Sequence, residues 1–271
     1  MSPVAVQELV LAVAVSGTVA LMAWRAGSLS RSGAAAALIV GTVCLTAGRA
    51  WGGFLVLWFI AASLASKVGQ RAKEAATGDV VAKGGPRDAL QVLANGGVYA
   101  ATALVAVVRP EFAAVAATLG AAALVAAGAD TLATEAGTLA KGRPWSLRTG
   151  GVVPTGSSGA VSAPGSAGMV LASVGFALSA HWVGLIPMTA VAPVALAGVA
   201  GAVVDTLVGA WWQARRWCPS CERETEQHRH RCGTTTVHYR GVSWLGNDAV
   251  NLLCTVAGAA VMGALLRSGG S

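Results

Sequence analysis

The chain has 271 residues, 55% of them hydrophobic and only 11% charged, with a formal net charge of +7. Soluble domains carry about 25% charged residues, so this composition excludes a soluble or disordered protein and specifies an integral membrane one. Ala, Leu, Val and Gly run unbroken where a membrane barrel would alternate, which leaves an all-α, polytopic helix bundle; no aromatic-basic module accompanies the charge, so no nucleic acid partner is expected.

A membrane helix needs roughly 17–25 apolar residues. Stretches of this kind are read at 4–24, 33–48, 51–66, 89–108, 112–139, 167–186, 189–213 and 249–267. They predict about eight transmembrane helices in a single integral membrane domain over 1–271. The first stretch lacks the basic start of a cleaved signal peptide and is read as a retained helix. The second and third are short and are parted near Arg49. If the first helix ends at Arg25 on the cytoplasmic side, that side collects all of the 19 Lys and Arg except Arg49, Arg109 and Arg267. The bias predicts a multi-pass cell-membrane protein with both termini outside and its motif loops in the cytoplasm, where the basic face also meets anionic lipid. Trp24, Trp51, Trp145, Trp182, Trp211, Trp212, Trp217 and Trp244 fall near helix boundaries and read as interfacial anchors. Cys44 and Cys254, inside apolar segments, read as packing residues.

The 67–88 loop runs into GDVVAKGGPRDALQVLANGG, where Lys83 and Arg87 can neutralise phosphate charge or simply mark a cytoplasmic loop. Asn95 follows inside the next apolar helix. Asp130 and Glu135 lie toward the cytoplasmic end of the fifth helix, although an acid at the bilayer centre costs roughly 2.5–3.5 kcal/mol and so needs a partner or a function. Helical spacing puts Asp130 and Thr134 on one stripe and Thr131 and Glu135 on the adjacent one, so the two acids are offset and suited to different jobs. Beyond Lys141 and Arg148, the 148–168 loop holds six glycines with Ser157, Ser158, Ser162 and Ser166 among them. Its successive N–H groups can wrap phosphate oxygens, the alternative being a flexible linker; it does not match the Walker pattern. In the seventh helix Gly201, Asp205 and Gly209 share a face, and small residues there let helices approach closely. Asn247, Asp248 and Asn251 open the last helix.

Between these two helices, the 214–248 cytoplasmic loop contains CPSCERETEQHRHRC. Cys218 and Cys221, with Cys232 and an imidazole, His230 in the set favoured here, can complete a tetrahedral structural zinc site; the alternative is a group of reduced surface cysteines.

The strings KGGPRDALQVLANGG, GADTLATEAGTLAKGRP, VVPTGSSGAVSAPGSAG, GAVVDTLVGAWWQ and WLGNDAVNLL occur in this order along nearly the whole chain. Together they resemble the integral membrane family that includes plant phytyl-phosphate kinase and animal transmembrane protein 19. The resemblance implies a magnesium-dependent transferase that uses CTP, or a related nucleoside triphosphate, to convert an isoprenoid monophosphate to the diphosphate. It places Asp130 and Glu135 in a D-T-x-x-[ST]-E motif, and Gly156, Ser157, Ser158, Gly159 and Ser162 in the glycine loop. There relatives often read G-T-N-G-G-V-S, and this chain has Ser157, Ser158 and Ala160 instead. Asp205, Gln213, Asn247, Asp248 and Asn251 match the remaining polar positions.

The resulting expectation is a catalytic set of Asp130, Glu135 and Asp205, with Asp248 joining them as magnesium ligands. Phosphates would be held by Lys83, Arg87, Asn95, Thr134, Lys141, Arg148, the 156–162 loop, Asn247 and Asn251. Cytidylyl transfer to a lipid phosphate is an alternative reaction, and transport of an anionic solute or lipid is an alternative function. Polar residues crowded on one side suit an enzyme better than alternating access.

Overall fold

The computed structural model describes residues 3–82, 84–140 and 142–268. The long helices are α1 (Pro3–Arg25), α2 (Arg31–Ala47), α3 (Arg49–Lys67), α5 (Ala89–Val108), α6 (Ala113–Leu139), α7 (Ala163–Trp182), α8 (Val191–Trp211) and α9 (Asn247–Ser268), with a short polar α4 (Gln70–Thr77) between α3 and α5. Among the described residues seven helices are long and apolar enough to cross a membrane, and α2, at 17 residues, is the shorter eighth. The α2–α3 junction is a single residue, Gly48, at φ 139°. That tight reversal explains why the sequence shows two short stretches instead of one long one.

The helices alternate in direction, so every long connection gathers at one end of the bundle. Two small sheets lie in these connections. One joins β1 (Trp145–Ser146), β2 (Gly151–Val152) and β3 (Ala160–Val161) in the order β2-β1-β3; the other joins β4 (Arg215–Cys218), β5 (Arg223–Thr225) and β6 (Val237–Arg240) in the order β5-β4-β6. The fold is therefore helical as expected, with two sheets that strands of two to four residues are too short to announce by periodicity.

At the centre stands α6, packed against α3, α5, α7, α8 and α9. Positions 121–129 are buried without interruption, so this helix has no polar stripe and no lipid face over two and a half turns. Its alanines leave room for backbone-to-backbone approach, which glycines on the neighbours complete. A methyl group on Gly201 would sit 2.6 Å from Ala126 Cβ and 2.7 Å from Cys254 O; one on Gly258 would sit 2.9 Å from both Ala122 O and Ala126 Cβ. Close packing through small residues thus fixes the α6, α8 and α9 trio, the device that stabilises helix pairs where lipid removes the hydrophobic drive.

Trp51 departs from its expected place. It is 6% exposed, stacked against Tyr99 at 5.0 Å between ring centroids, and its carbonyl accepts a hydrogen bond of 2.9 Å from Tyr99 Oη. Although Trp51 begins its helix, its ring turns into the core, whereas Trp24, Trp145, Trp182, Trp211, Trp212 and Trp244 are exposed. Cys44 and Cys254 are buried in packing positions.

Candidate functional site

The packing of α6 on α8 determines the first feature of the site. Asp130 lies four residues beyond Ala126, and Asp205 four residues beyond Gly201, so the turn after this close helix contact carries both acids on facing stripes. Their carboxyl groups meet within hydrogen-bonding contact, and Asp205 Oδ2 is buried without a hydrogen-bond partner. Two carboxylates side by side repel unless a proton or a cation lies with them. The pair opens into a cavity of about 1390 Å3, enclosed by the connections at the loop-rich end.

Asn95, Asn247, Asp248 and Asn251 line the same cavity, as the sequence predicts. Asn95 is positioned by a capping box at the start of α5, in which Asp88 accepts from Gln91 N at 3.0 Å and Gln91 Oε1 accepts from Asp88 N at 3.0 Å. One turn on, Thr255 Oγ1 donates to Ala94 O at 3.1 Å and ties α9 to α5.

Glu135 is directed elsewhere. It pairs with Lys73 of α4 and accepts from Ser66 Oγ of α3 at 2.6 Å, so the offset between the two acids of α6 becomes a division between two neighbourhoods. Lys73 is buried and also donates to the carbonyls of Ala65 and Ser66 at 3.0 and 2.8 Å, satisfying the last turn of α3. Arg87 joins this group, donating to Ser63 Oγ at 3.0 Å and Ser66 Oγ at 3.2 Å. Burial lowers its pKa, with the Glu135 charge opposing that shift. Arg87 and Glu135 line the cavity, but each is already engaged in a network that sequence spacing gave no means of finding.

The glycine loop is folded and not a loose linker. Trp145 of β1 pairs with Val152 on one side and Val161 on the other. Ser162 caps α7, accepting from Gly165 N at 3.2 Å, so this helix begins at Ala163, earlier than the predicted 167. Gly156, at φ 88°, rests on Thr77; Gly159, at φ 71°, rests on the α8 backbone, where a methyl group would lie 2.3 Å from Ala210 Cα and N. Gly159→Ala is accordingly expected to destabilise the protein by about 1–3 kcal/mol, combining left-handed backbone strain with a clash against main chain. Detergent-solubilised thermal unfolding measures it, and an unchanged midpoint would contradict this packing.

Ser158 is committed in a way the sequence did not reveal. Its hydroxyl donates to Glu226 and its carbonyl accepts from Arg215 Nη2 at 3.2 Å, while Arg215 and Glu226 form a buried ion pair at 2.9 Å. Burial raises the Glu226 pKa, opposed by Arg215 and by the Ser158 hydrogen bond, and burial likewise lowers that of Arg215. Both partners resist leaving water, so the pair serves to place the loop more than to stabilise the fold. Ser157, Thr134 and Gln213 line the cavity, as do Arg216, Gln227, His228 and Arg231, which local spacing had not marked. Arg148 is exposed and lies outside the lining. Lys83 and Lys141 fall outside the described residues.

The second candidate centre is the predicted one. The ligand atoms of Cys218, Cys221, His230 and Cys232 all lie within 4.8 Å of one another and can hold a metal ion.

Compared with known proteins, residues 14–259 match the family described as integral membrane protein DUF92, a span that contains all five ordered motifs. The chain is similar to Protein PGR of Arabidopsis thaliana, 28% identical over 270 residues covering 91% of this chain and 92% of the plant protein. No solved structure matches.

Proposed function

Because the chain belongs to the DUF92 family of integral membrane proteins, we propose that it is a membrane phosphotransferase. The reaction moves the γ-phosphoryl group of CTP, or a related nucleoside triphosphate, onto an isoprenoid monophosphate. The observation that carries this reading is the Asp130–Asp205 pair opening into a large cavity, lined in part by polar side chains, at the basic end of a membrane bundle. That end faces the cytoplasm, where the nucleotide is found, consistent with its excess of Lys and Arg.

Asp130, Asp205 and Asp248 offer an all-oxygen donor set, and the unpartnered Asp205 Oδ2 suits a cation. Asp130 and Asp205 would hold magnesium, with Asp248 lining the same cavity; when bound, the ion would neutralise phosphate oxygens. Glu135, paired with Lys73, stands outside that set. In the reaction an oxygen of the lipid phosphate attacks the γ-phosphorus, the bond to the β-phosphate bridging oxygen breaks, and the nucleoside diphosphate leaves. The attacking oxygen is already ionised, so no side chain need remove a proton. The work of the protein is to position two anions and hold their charge. Asn95, Asn247 and Asn251 would orient phosphate oxygens, with Arg216 and Arg231 the nearest cavity-lining cations from the 214–248 loop. An apolar groove of about 400 Å3 lies among α3, α6 and α7, lined by Leu57, Leu132, Leu171 and Phe176; it would take the isoprenoid chain. The Cys218, Cys221, His230 and Cys232 set would hold zinc apart from this chemistry, with no open position for substrate.

Purified protein given magnesium, CTP and phytyl or geranylgeranyl phosphate is expected to form the corresponding diphosphate. Label in the γ-phosphate should pass to the lipid, whereas cytidylyl transfer would place label from the α-phosphate there. Absence of turnover from well-folded protein across a panel of nucleotides and prenyl phosphates would overturn the proposal.

A further inference from the structure

The Cys/His centre is tied to two walls of the cavity, and its sequence neighbours are the ties. Cys218 ends β4, the strand that carries Arg215, and Cys221 follows in the turn to β5, which ends just before Glu226. Arg215 and Glu226 hold Ser158 of the glycine loop, as described. On the other side, Glu226 N donates to Val80 O at 2.8 Å, and Gln227 Nε2 donates to Gly78 O at 2.7 Å and Val81 O at 3.0 Å. The Arg231 guanidinium, one residue from His230, lies against Gly78, where a methyl group would come within 1.9 Å of it. The 78–81 segment and the glycine loop thus meet on one small sheet whose far end is the four-ligand cluster.

The cluster has the dimensions of a tetrahedral thiolate site. Cys218 Sγ and Cys232 Sγ are 3.6 Å apart, and His230 Nδ1 is 3.2 Å from Cys232 Sγ. With zinc–sulfur bonds of about 2.3 Å, the sulfur–sulfur edge of a tetrahedron is about 3.8 Å. Glu222, between Cys221 and β5, takes φ 51°, the left-handed region a non-glycine residue enters only when its surroundings impose it. Three thiols and an imidazole exclude the oxygen-preferring cations, and a full set of four protein ligands leaves no catalytic position.

We propose that zinc at Cys218, Cys221, His230 and Cys232 is the clasp that holds the 78–81 segment and the glycine loop together as walls of the cavity. Metal binding closes the β4–β5 hairpin; the closed hairpin sets Arg215 against Glu226 and Gln227 against Gly78. Loss of the ion releases both walls while leaving the α6 core intact. This inference is independent of phosphoryl transfer, since it concerns metal content and backbone order in the absence of substrate.

Metal analysis of the purified full chain is expected to give about one zinc per chain, lost in Cys218→Ser and Cys232→Ser. Hydrogen exchange of wild-type protein stripped with a zinc chelator should quicken about tenfold or more at 78–81 and 156–160, with 121–127 unchanged. Zinc, and not magnesium, should restore protection. Glu226→Gln should retain its zinc yet loosen 156–160, which separates the tie from the metal itself. If the cysteine variants fail to fold, chelation and reloading of the wild type give the same readout. Protein that stays substoichiometric in metal when grown and purified with zinc would overturn the proposal. So would stoichiometric zinc whose removal leaves exchange at both walls unchanged.

Discussion

Asp205→Asn is expected to lower lipid phosphorylation by about a hundredfold to a thousandfold, the scale on which a single preorganised electrostatic contact acts, without loss of thermal stability. The two effects follow from one geometry. Asp130 and Asp205 lie together and Asp205 Oδ2 has no hydrogen-bond partner, so the buried pair needs a proton or a cation between its carboxyl groups. An asparagine amide of nearly the same shape donates to Asp130 and removes one of the two buried acids; the unfolding midpoint should hold or rise by about 2–4 °C per kcal/mol gained. Asp130→Asn should behave alike. A residue with only a structural role would lose activity and stability together. Turnover and thermal unfolding on the same preparations distinguish the cases, and an Asp205→Asn protein with near-normal turnover would remove the pair from the mechanism. Opposition between stability and activity is common where like charges are assembled for function.

Gly201→Val should be strongly damaging although it alters no charged side chain. Its side chain would have to enter the space of Ala126 Cβ at 2.6 Å and Cys254 O at 2.7 Å, and neither can withdraw, because Ala126 is fully buried and the carbonyl belongs to the α9 backbone. Separating the helices costs about 1–3 kcal/mol as overpacking and also parts the Asp130 and Asp205 carboxylates one turn away. Turnover should therefore fall in protein that still inserts and purifies. Gly53→Val is the control: no atom lies within 4 Å of the added carbon, and its effect should stay within about 0.5 kcal/mol. Equal behaviour of the two variants in unfolding and turnover would refute the packing account.

Much of this site was legible because membrane sequences write their polar residues against a uniform background. Asn95, Asp205, Asp248, Asn247 and Asn251 each interrupt an apolar run near the same depth, and they line one cavity. The offset of Asp130 from Glu135 follows from helix periodicity alone, and the three-dimensional neighbours differ accordingly. His230 and three cysteines cluster because a short connection brings ligands of matching chemistry together. Partner choice across long distances was not legible. Lys73 reads as one basic residue among several in a loop, and only the return of α4 against the end of α3 gives it Glu135. Arg215 and Glu226 likewise look like surface charges in a loop; β-pairing of strands three and four residues long turns them inward. Trp51 lies at a helix start, where position along the axis is readable but facing is not, and Tyr99 claims its ring.

The contact of Gly201 with Ala126 lies at the middle of α8, close to Asp205. Bilayers differ in thickness, and helices accommodate the mismatch by tilting. A tilt of about 5° around that contact moves Asp205, about 6 Å along the axis, by only about 0.5 Å, whereas Val191, about 15 Å away in the other direction, moves about 1.3 Å. Asp205 lies within about one turn of that contact, and Val191 begins the helix. A tilt of α8 about this contact would therefore leave the spacing of the two acids nearly constant.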